Sequence, residues 1–266
     1  MKALCKRDHW PLWVVLTLIG LALVLPAILP WNYEEIDWDA VRAPAFSGSH
    51  ILGTDEIGRD RLARLAAGTQ VTLMVAIAAA LVSLIVGIAW GATAGWMGGK
   101  VDEAMMRFVD ALYALPFMFI VILLMVIFGR SILLVFVGIG LVEWLTMARV
   151  VRGQVMALKQ RPFILAAEAA GTSPFTIILK HILPNIAGVA LAYLMLTVPS
   201  VVMVESFLSF LGLGVQEPLT SLGILVKEGA DDMDMTPLGL LLPGGLLVIL
   251  LVCLTIEGER LRDTYS

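Results

Sequence analysis

Charge and cysteine are what this chain has least of. Asp, Glu, Lys and Arg make up only 15% of its 266 residues, against 59% hydrophobic, and the mean hydropathy is +0.93. No soluble core absorbs that much apolar surface, so a water-soluble globular protein is excluded. The two cysteines, Cys5 and Cys253, map to or near the cytoplasmic side, where thiols stay reduced, and neither is read as functional. The three histidines, His9, His50 and His181, fall on different segments, so no shared metal site is expected. A phosphate loop is missing as well: in "GWMGGK" Ala94 stands where G-x-x-x-x-G-K needs its first glycine, and Val101 replaces the Ser/Thr that would hold magnesium. The chain cannot hydrolyse ATP alone. No cofactor is expected on it, and no nucleic-acid partner.

Long apolar runs, by contrast, are plentiful. Crossing a hydrocarbon layer of about 30 Å at about 1.5 Å per residue takes about 20 apolar residues. Residues 11–30, about 71–95, 111–129, 131–148, 186–204 and 235–256 meet that need, which predicts an all-α polytopic membrane protein with six spans. The run at 11–30 is too long for a signal peptide and has no A-x-A site after it, so it reads as an uncleaved anchor. With the N-terminus inside, 12 of the 18 Lys and Arg fall on the inner side, as the positive-inside rule requires. The outer side is acidic.

An unpaired charge inside a span costs several kcal/mol, so ionisable residues there are functional candidates. Glu143 reads as the deepest, with Glu205 and Asp110 nearer span ends. Gly87, Gly91 and Gly95 stand four apart on one face of the second span, a spacing that lets helix backbones approach closely. Pro116, Pro199 and Pro243 interrupt later spans. Before the second span, "HILGTDEIGRDRLARLAAGTQ" predicts an interfacial amphipathic helix capped by Thr54 or Asp55, with Arg59, Arg61 and Arg64 snorkelling outward. "ESFLSFLGLGVQEPLTSLG" reads as a re-entrant or lid segment.

The stretch "FILAAEAAGTSPFTIILKHILPN", residues 163–185, is neither apolar enough to span nor polar enough for a plain loop. Pro162 suits a first helical turn, Gly171 a helix stop, and Ser173 caps a second helix that begins at Pro174 and is expected to stop before Pro184. A helix of eight residues is marginal alone and needs something to pack on. The stretch resembles the cytoplasmic coupling loop of binding-protein-dependent ABC importers, whose pattern is E-A-A, three residues, G, nine residues, I-x-L-P. Ala166 and Ala167 fall on the alanines, Gly171 on the glycine, and Leu183 and Pro184 on the final pair. Leu165 occupies the glutamate position and His181 the isoleucine. Residues 50–263 resemble the peptide branch of these permeases, nearest the C-type membrane subunit of oligopeptide importers. The resemblance is carried by "LGTDEIGRDRLARL", "GWMGGKVDEAMMRFVDALYALP", "ARVVRGQVMALK", "HILPN", "ESFLSFLGLGVQEPLTSLG" and "LRD", in that order. Leu222, at a position usually tryptophan, and the terminal "TIEGERLRDTYS" depart from the branch's pattern.

The resemblance implies a non-catalytic permease subunit that moves oligopeptides or dipeptides from periplasm to cytoplasm by alternating access. It would pair with a second, homologous permease, two cytoplasmic ATPases that hold the ATP and magnesium, and a periplasmic or lipid-anchored peptide-binding protein, all in an inner membrane with its lipid. Residues 1–10 would be cytoplasmic, 11–30 the first anchor, 31–70 periplasmic with the interfacial helix, and 71–266 the permease core, with its coupling loop at 149–185 and a periplasmic segment at 205–234. Leu165, Ala166, Ala167, Ala170, Gly171, Pro174, His181, Leu183 and Pro184 would couple to the ATPase. Glu143, Pro199, Glu205, Phe207 and Phe210 are candidates for the translocation path or its gate. A nickel or metal-chelate importer shares the scaffold, and a proton-coupled carrier using Glu143 would need no ATPase.

Overall fold

The computed structural model describes residues 9–129 and 132–265. The expectations for Cys5 and for most of the 1–10 segment lie outside these residues. Among the described residues ten α-helices follow one another: α1 (Trp10–Ile28), α2 (Arg61–Met97), α3 (Gly99–Tyr113), α4 (Phe117–Phe128), α5 (Ile132–Lys159), α6 (Pro162–Ala169), α7 (Pro174–Ile177), α8 (Leu183–Phe210), α9 (Leu222–Asp231) and α10 (Leu238–Tyr265). The protein is all-α. Among the described residues, α1, α2, the unbroken stretch Pro174–Phe210 and α10 are long and apolar enough to cross a membrane. The remaining two expected spans, 111–129 and 131–148, fall on the end of α3 with α4, and on α5. The former is broken at Pro116, because a proline lacks the N–H and pushes the residue before it out of helical geometry.

The α2–α5 seam is the spine of the bundle. A Cβ on Gly87 would lie 2.5 Å from Met147 Cβ, one on Gly91 2.4 Å from the Ala148 carbonyl oxygen, and one on Gly95 2.8 Å from that of Arg152. Glycine at each position lets the backbones touch. The pairing advances in step along both helices, so α2 and α5 are parallel, and α3 with α4 carries the chain back between them. Arg152 forks onto the Asp102 carboxylate of α3, and Lys159 donates to the Trp96 carbonyl at 2.6 Å, tying the ends of α2, α3 and α5 together.

Helix α1 lies against α2 and α10, burying Val15 and Ala22. Pro26 cannot donate to the carbonyl of Ala22 four residues back, and Gln70 of α2 supplies the missing donor at 2.5 Å. His9, before α1, meets Arg260 near the end of α10 at 2.9 Å, so those two helix ends share one side of the bundle. Tyr265 packs on Gly188 of α8, bringing the end of α10 to the start of α8.

The opposite end corrects an expectation. Residues 50–60 form turns and isolated bridges rather than an interfacial helix. The cap is Asp60, whose carboxylate accepts from the Ala63 N–H at 2.8 Å, and α2 then runs 37 residues without a break. Arg59, Arg61 and Arg64 do not snorkel outward. Their side chains are enclosed, Arg64 only 3% exposed: Arg59 and Arg64 pair with the carboxylates of Asp55 and Glu228, and Arg61 donates to Thr236 Oγ1 at 2.9 Å.

Candidate functional site

The 160–186 corner is built from local signals. Pro162 sits in the first turn of α6. Gly171 takes φ +79°, and the Thr172 N–H reaches back to the Ala167 carbonyl at 3.1 Å, closing the helix with a left-handed residue. Ser173 Oγ accepts from the Thr176 N–H at 3.3 Å, with Pro174 next in the first turn of α7. The second helix does not stop before Pro184. One widened turn at Ile178–Ile182, closed by the Leu183 N–H onto the Ile178 carbonyl, absorbs the proline, and the chain continues straight into α8. The corner is therefore the end of a long rigid lever.

Its inner face is fixed. Ile164, Ile177, Ile182 and Ile186 are buried together with Trp96, Val151 and Val155 of α2 and α5. Its outer face is bare: Ala166, Glu168, Ala169, Ala170, Gly171, Pro174 and Pro184 are exposed, and Leu165 and Phe175 are 52% and 72% exposed. Ala167 is half-buried against the chain's own cluster, so it faces inward, unlike its neighbour Ala166. His181 and Leu183 are half-buried on the lever itself. What results is a short helix of small and apolar residues held out from the bundle.

Glu143 and Glu205, the acids singled out inside spans, differ in depth. The more enclosed is Glu205, not Glu143: its side chain is fully buried, accepting from Ser209 Oγ at 2.6 Å, Thr72 Oγ1 at 3.1 Å and Ser206 Oγ at 3.4 Å. Thr72 in turn accepts from the Leu222 N–H at 3.0 Å. This knot joins α2, α8 and the start of α9 and fixes the 211–221 turn. Glu143 is half-buried and accepts from Ser200 Oγ at 3.0 Å. Asp110 is exposed and pairs with Arg149 at 2.8 Å. Pro199 is buried within α8, while Phe207 and Phe210 are exposed on it, 50% and 40%.

At the other end, Arg64 of α2 bridges Asp55 (2.7 Å) and Glu228 of α9 (2.6 Å), Arg59 joins Asp55 at 2.7 Å, and Arg42 reaches Asp232 at 3.0 Å. Burial alone would raise the Asp55 carboxyl, but hydrogen bonds from the Arg59 N–H and guanidinium, with the charges of Arg64 and Arg59, outweigh it and hold it below its ordinary value. His50 lies between Asp60 (2.9 Å) and Asp37 (3.3 Å) beneath Trp31. Sequence reasoning missed this clamp between the 31–60 segment and α9. Its partners lie 164 residues apart in the chain, beyond any local pattern.

Known proteins share both the sequence and the fold. Residues 87–256 match the family model described as the binding-protein-dependent transport system inner membrane component. The chain is 49% identical, over 94% of its own length and 83% of the relative's, to the oligopeptide transport system permease protein OppC of Escherichia coli (strain K12). It is 36% identical, over 89% of its length and 69% of the relative's, to the dipeptide transport system permease protein DppC of Lactococcus lactis subsp. cremoris. A chain of the MetNI methionine ABC transporter, solved in inward facing conformations, shares the fold with a TM-score of 0.61 at 20% identity, covering 76% of this chain and 96% of that one. A multi-pass bundle with a protruding corner, matched along nearly its whole length to such permeases, belongs to the family of binding-protein-dependent transport system inner membrane components.

Proposed function

We propose that the chain is a permease subunit of an ATP-driven importer that carries oligopeptides or dipeptides into the cytoplasm by alternating access. The observation that carries this reading is the 49% identity to an oligopeptide permease over 94% of the chain. Relatives named for oligopeptides and dipeptides support a peptide cargo over nickel or a metal chelate. The bare corner of α6 supports docking to a partner, since exposed Ala166, Ala169 and Ala170 have the low profile that a groove in an ATPase accepts. The partners are a second permease, two cytoplasmic ATPases that bind ATP and magnesium, and a peptide-binding protein on the outer side. The corner and both termini then face the cytoplasm, in keeping with the 12 of 18 Lys and Arg assigned to that side.

Purification tests the assembly. Expressed with its neighbouring genes and extracted in mild detergent, a tagged chain should bring down a second permease and two ATPases. A single chain that sustains uptake by itself, driven by a proton gradient, would instead establish the carrier reading built on Glu143.

A further inference from the structure

Helices α5 and α8 are antiparallel along one shared groove, and the residues that line it form a track with polar groups along its length. On α5, Glu143, Thr146, Val150, Gly153 and Gln154 recur at helical spacing on one face. On α8, Ser200, Tyr193 and Val189 recur likewise and run the opposite way. Glu143 meets Ser200 at one end of the track. At the other, Val150, Gly153 and Gln154 face Val189 and Tyr193 around a cavity of about 290 Å³ that Arg262 also lines. Thr146, Ser200 and Gly153 are exposed, and a side chain added to Gly153 would meet nothing within 4 Å.

Such a face does not suit lipid. Hydrocarbon accommodates a carboxylate and two hydroxyls poorly, whereas α1 shows what a lipid face looks like, with Trp13, Leu23 and Ile28 each more than 60% exposed. Among the described residues Glu143 has one hydrogen-bond partner, the Ser200 hydroxyl, and no cation pairs with it. Its carboxylate is thus positioned to accept a mobile positive charge. From Glu143 to Gln154 the axial rise is about 17 Å, the length of about five extended residues.

We infer that the α5–α8 groove is this subunit's share of the substrate path, with Glu143 receiving the free amino end of a peptide in transit. This rests on the peptide-import reading and adds to it the chemical group that is recognised inside the membrane. The test uses the assembled importer in proteoliposomes. Glu143→Gln should lower maximal peptide uptake about tenfold while the complex assembles and docks its loaded binding protein as before, and Glu143→Asp should restore most of the loss. In a separate variant, Ser200→Cys should react with a water-soluble thiol reagent. A millimolar peptide with a free amino end should slow that reaction severalfold, and the same peptide N-acetylated should not.

Wild-type uptake by Glu143→Gln, or an unreactive Ser200→Cys, would overturn the path. Equal protection by both peptides, or by neither, would overturn the amine assignment. Absence of peptide uptake by the wild-type complex would instead overturn the import reading itself, so the two failures are distinct.

Discussion

Replacing Gly91 by alanine tests the packing of the α2–α5 spine. The new methyl would stand 2.4 Å from the Ala148 carbonyl oxygen, 2.9 Å from Val151 Cβ and 3.0 Å from the Arg152 nitrogen. Real Cβ atoms do not come closer than 3.0 Å to such neighbours, and two of these three atoms are backbone, so the helices must part by about 0.6 Å. Overpacking of this kind costs about 1–3 kcal/mol. Alanine's better helix propensity offsets up to about 1 kcal/mol of that. The net loss of about 1–2 kcal/mol corresponds to a drop of about 2–8 °C in the melting midpoint of a protein of this size. Gly20→Ala is the control, because nothing lies within 4 Å of its added Cβ, so only the propensity gain remains. Midpoints read by intrinsic tryptophan fluorescence in detergent should rank Gly20→Ala at or above wild type and Gly91→Ala below it. If Gly91→Ala melts with or above the control, the seam is looser than described and the close-packing argument fails.

Other perturbations reach the corner, the clamp and the buried knot. Gly171→Asp places a side chain at φ +79°, at a cost of about 1 kcal/mol; the complex should still assemble, but uptake and substrate-stimulated ATP hydrolysis should fall together. Ala166→Arg, on the exposed face, should stop the ATPase from co-purifying, whereas Ala167→Arg should lower the yield of the chain itself, and Glu168→Ala should be mild. Asp55 titrates below its ordinary value, so its contribution to stability is fully present above pH 3.8 and is lost as the pH falls below that. Asp55→Asn should therefore melt lower than wild type at pH 7 and converge with it in strong acid. Glu205→Ala strands three buried hydroxyls and should cost about 2 kcal/mol or more in the same melting assay, with Glu205→Gln milder because its amide oxygen still accepts.

Where structure follows from neighbours in sequence, it was legible. Pro162, Gly171, Ser173 and Pro174 act within one or two turns, and the α6–α7 corner formed where they indicate. The run through Pro184 was not legible, since a proline reads as a helix stop and a single widened turn leaves no mark in composition. Arg59, Arg61 and Arg64 read as surface charges because Glu228 and Asp232 come from a distant segment. The same holds for Glu205: its burial depends on Thr72, 133 residues away. The inward turn of Ala167 depends on which face of α6 the buried Ile164 selects, something four near-identical alanines do not announce.

The most direct test of the import function is uptake by the purified complex. The chain, its partner permease and two ATPases are reconstituted in proteoliposomes, and a labelled tripeptide is supplied outside with its binding protein. Accumulation should require both the binding protein and ATP on the side of the α6 corner, and should persist when the proton gradient is collapsed. Accumulation that ignores ATP and disappears with the gradient would contradict the import function.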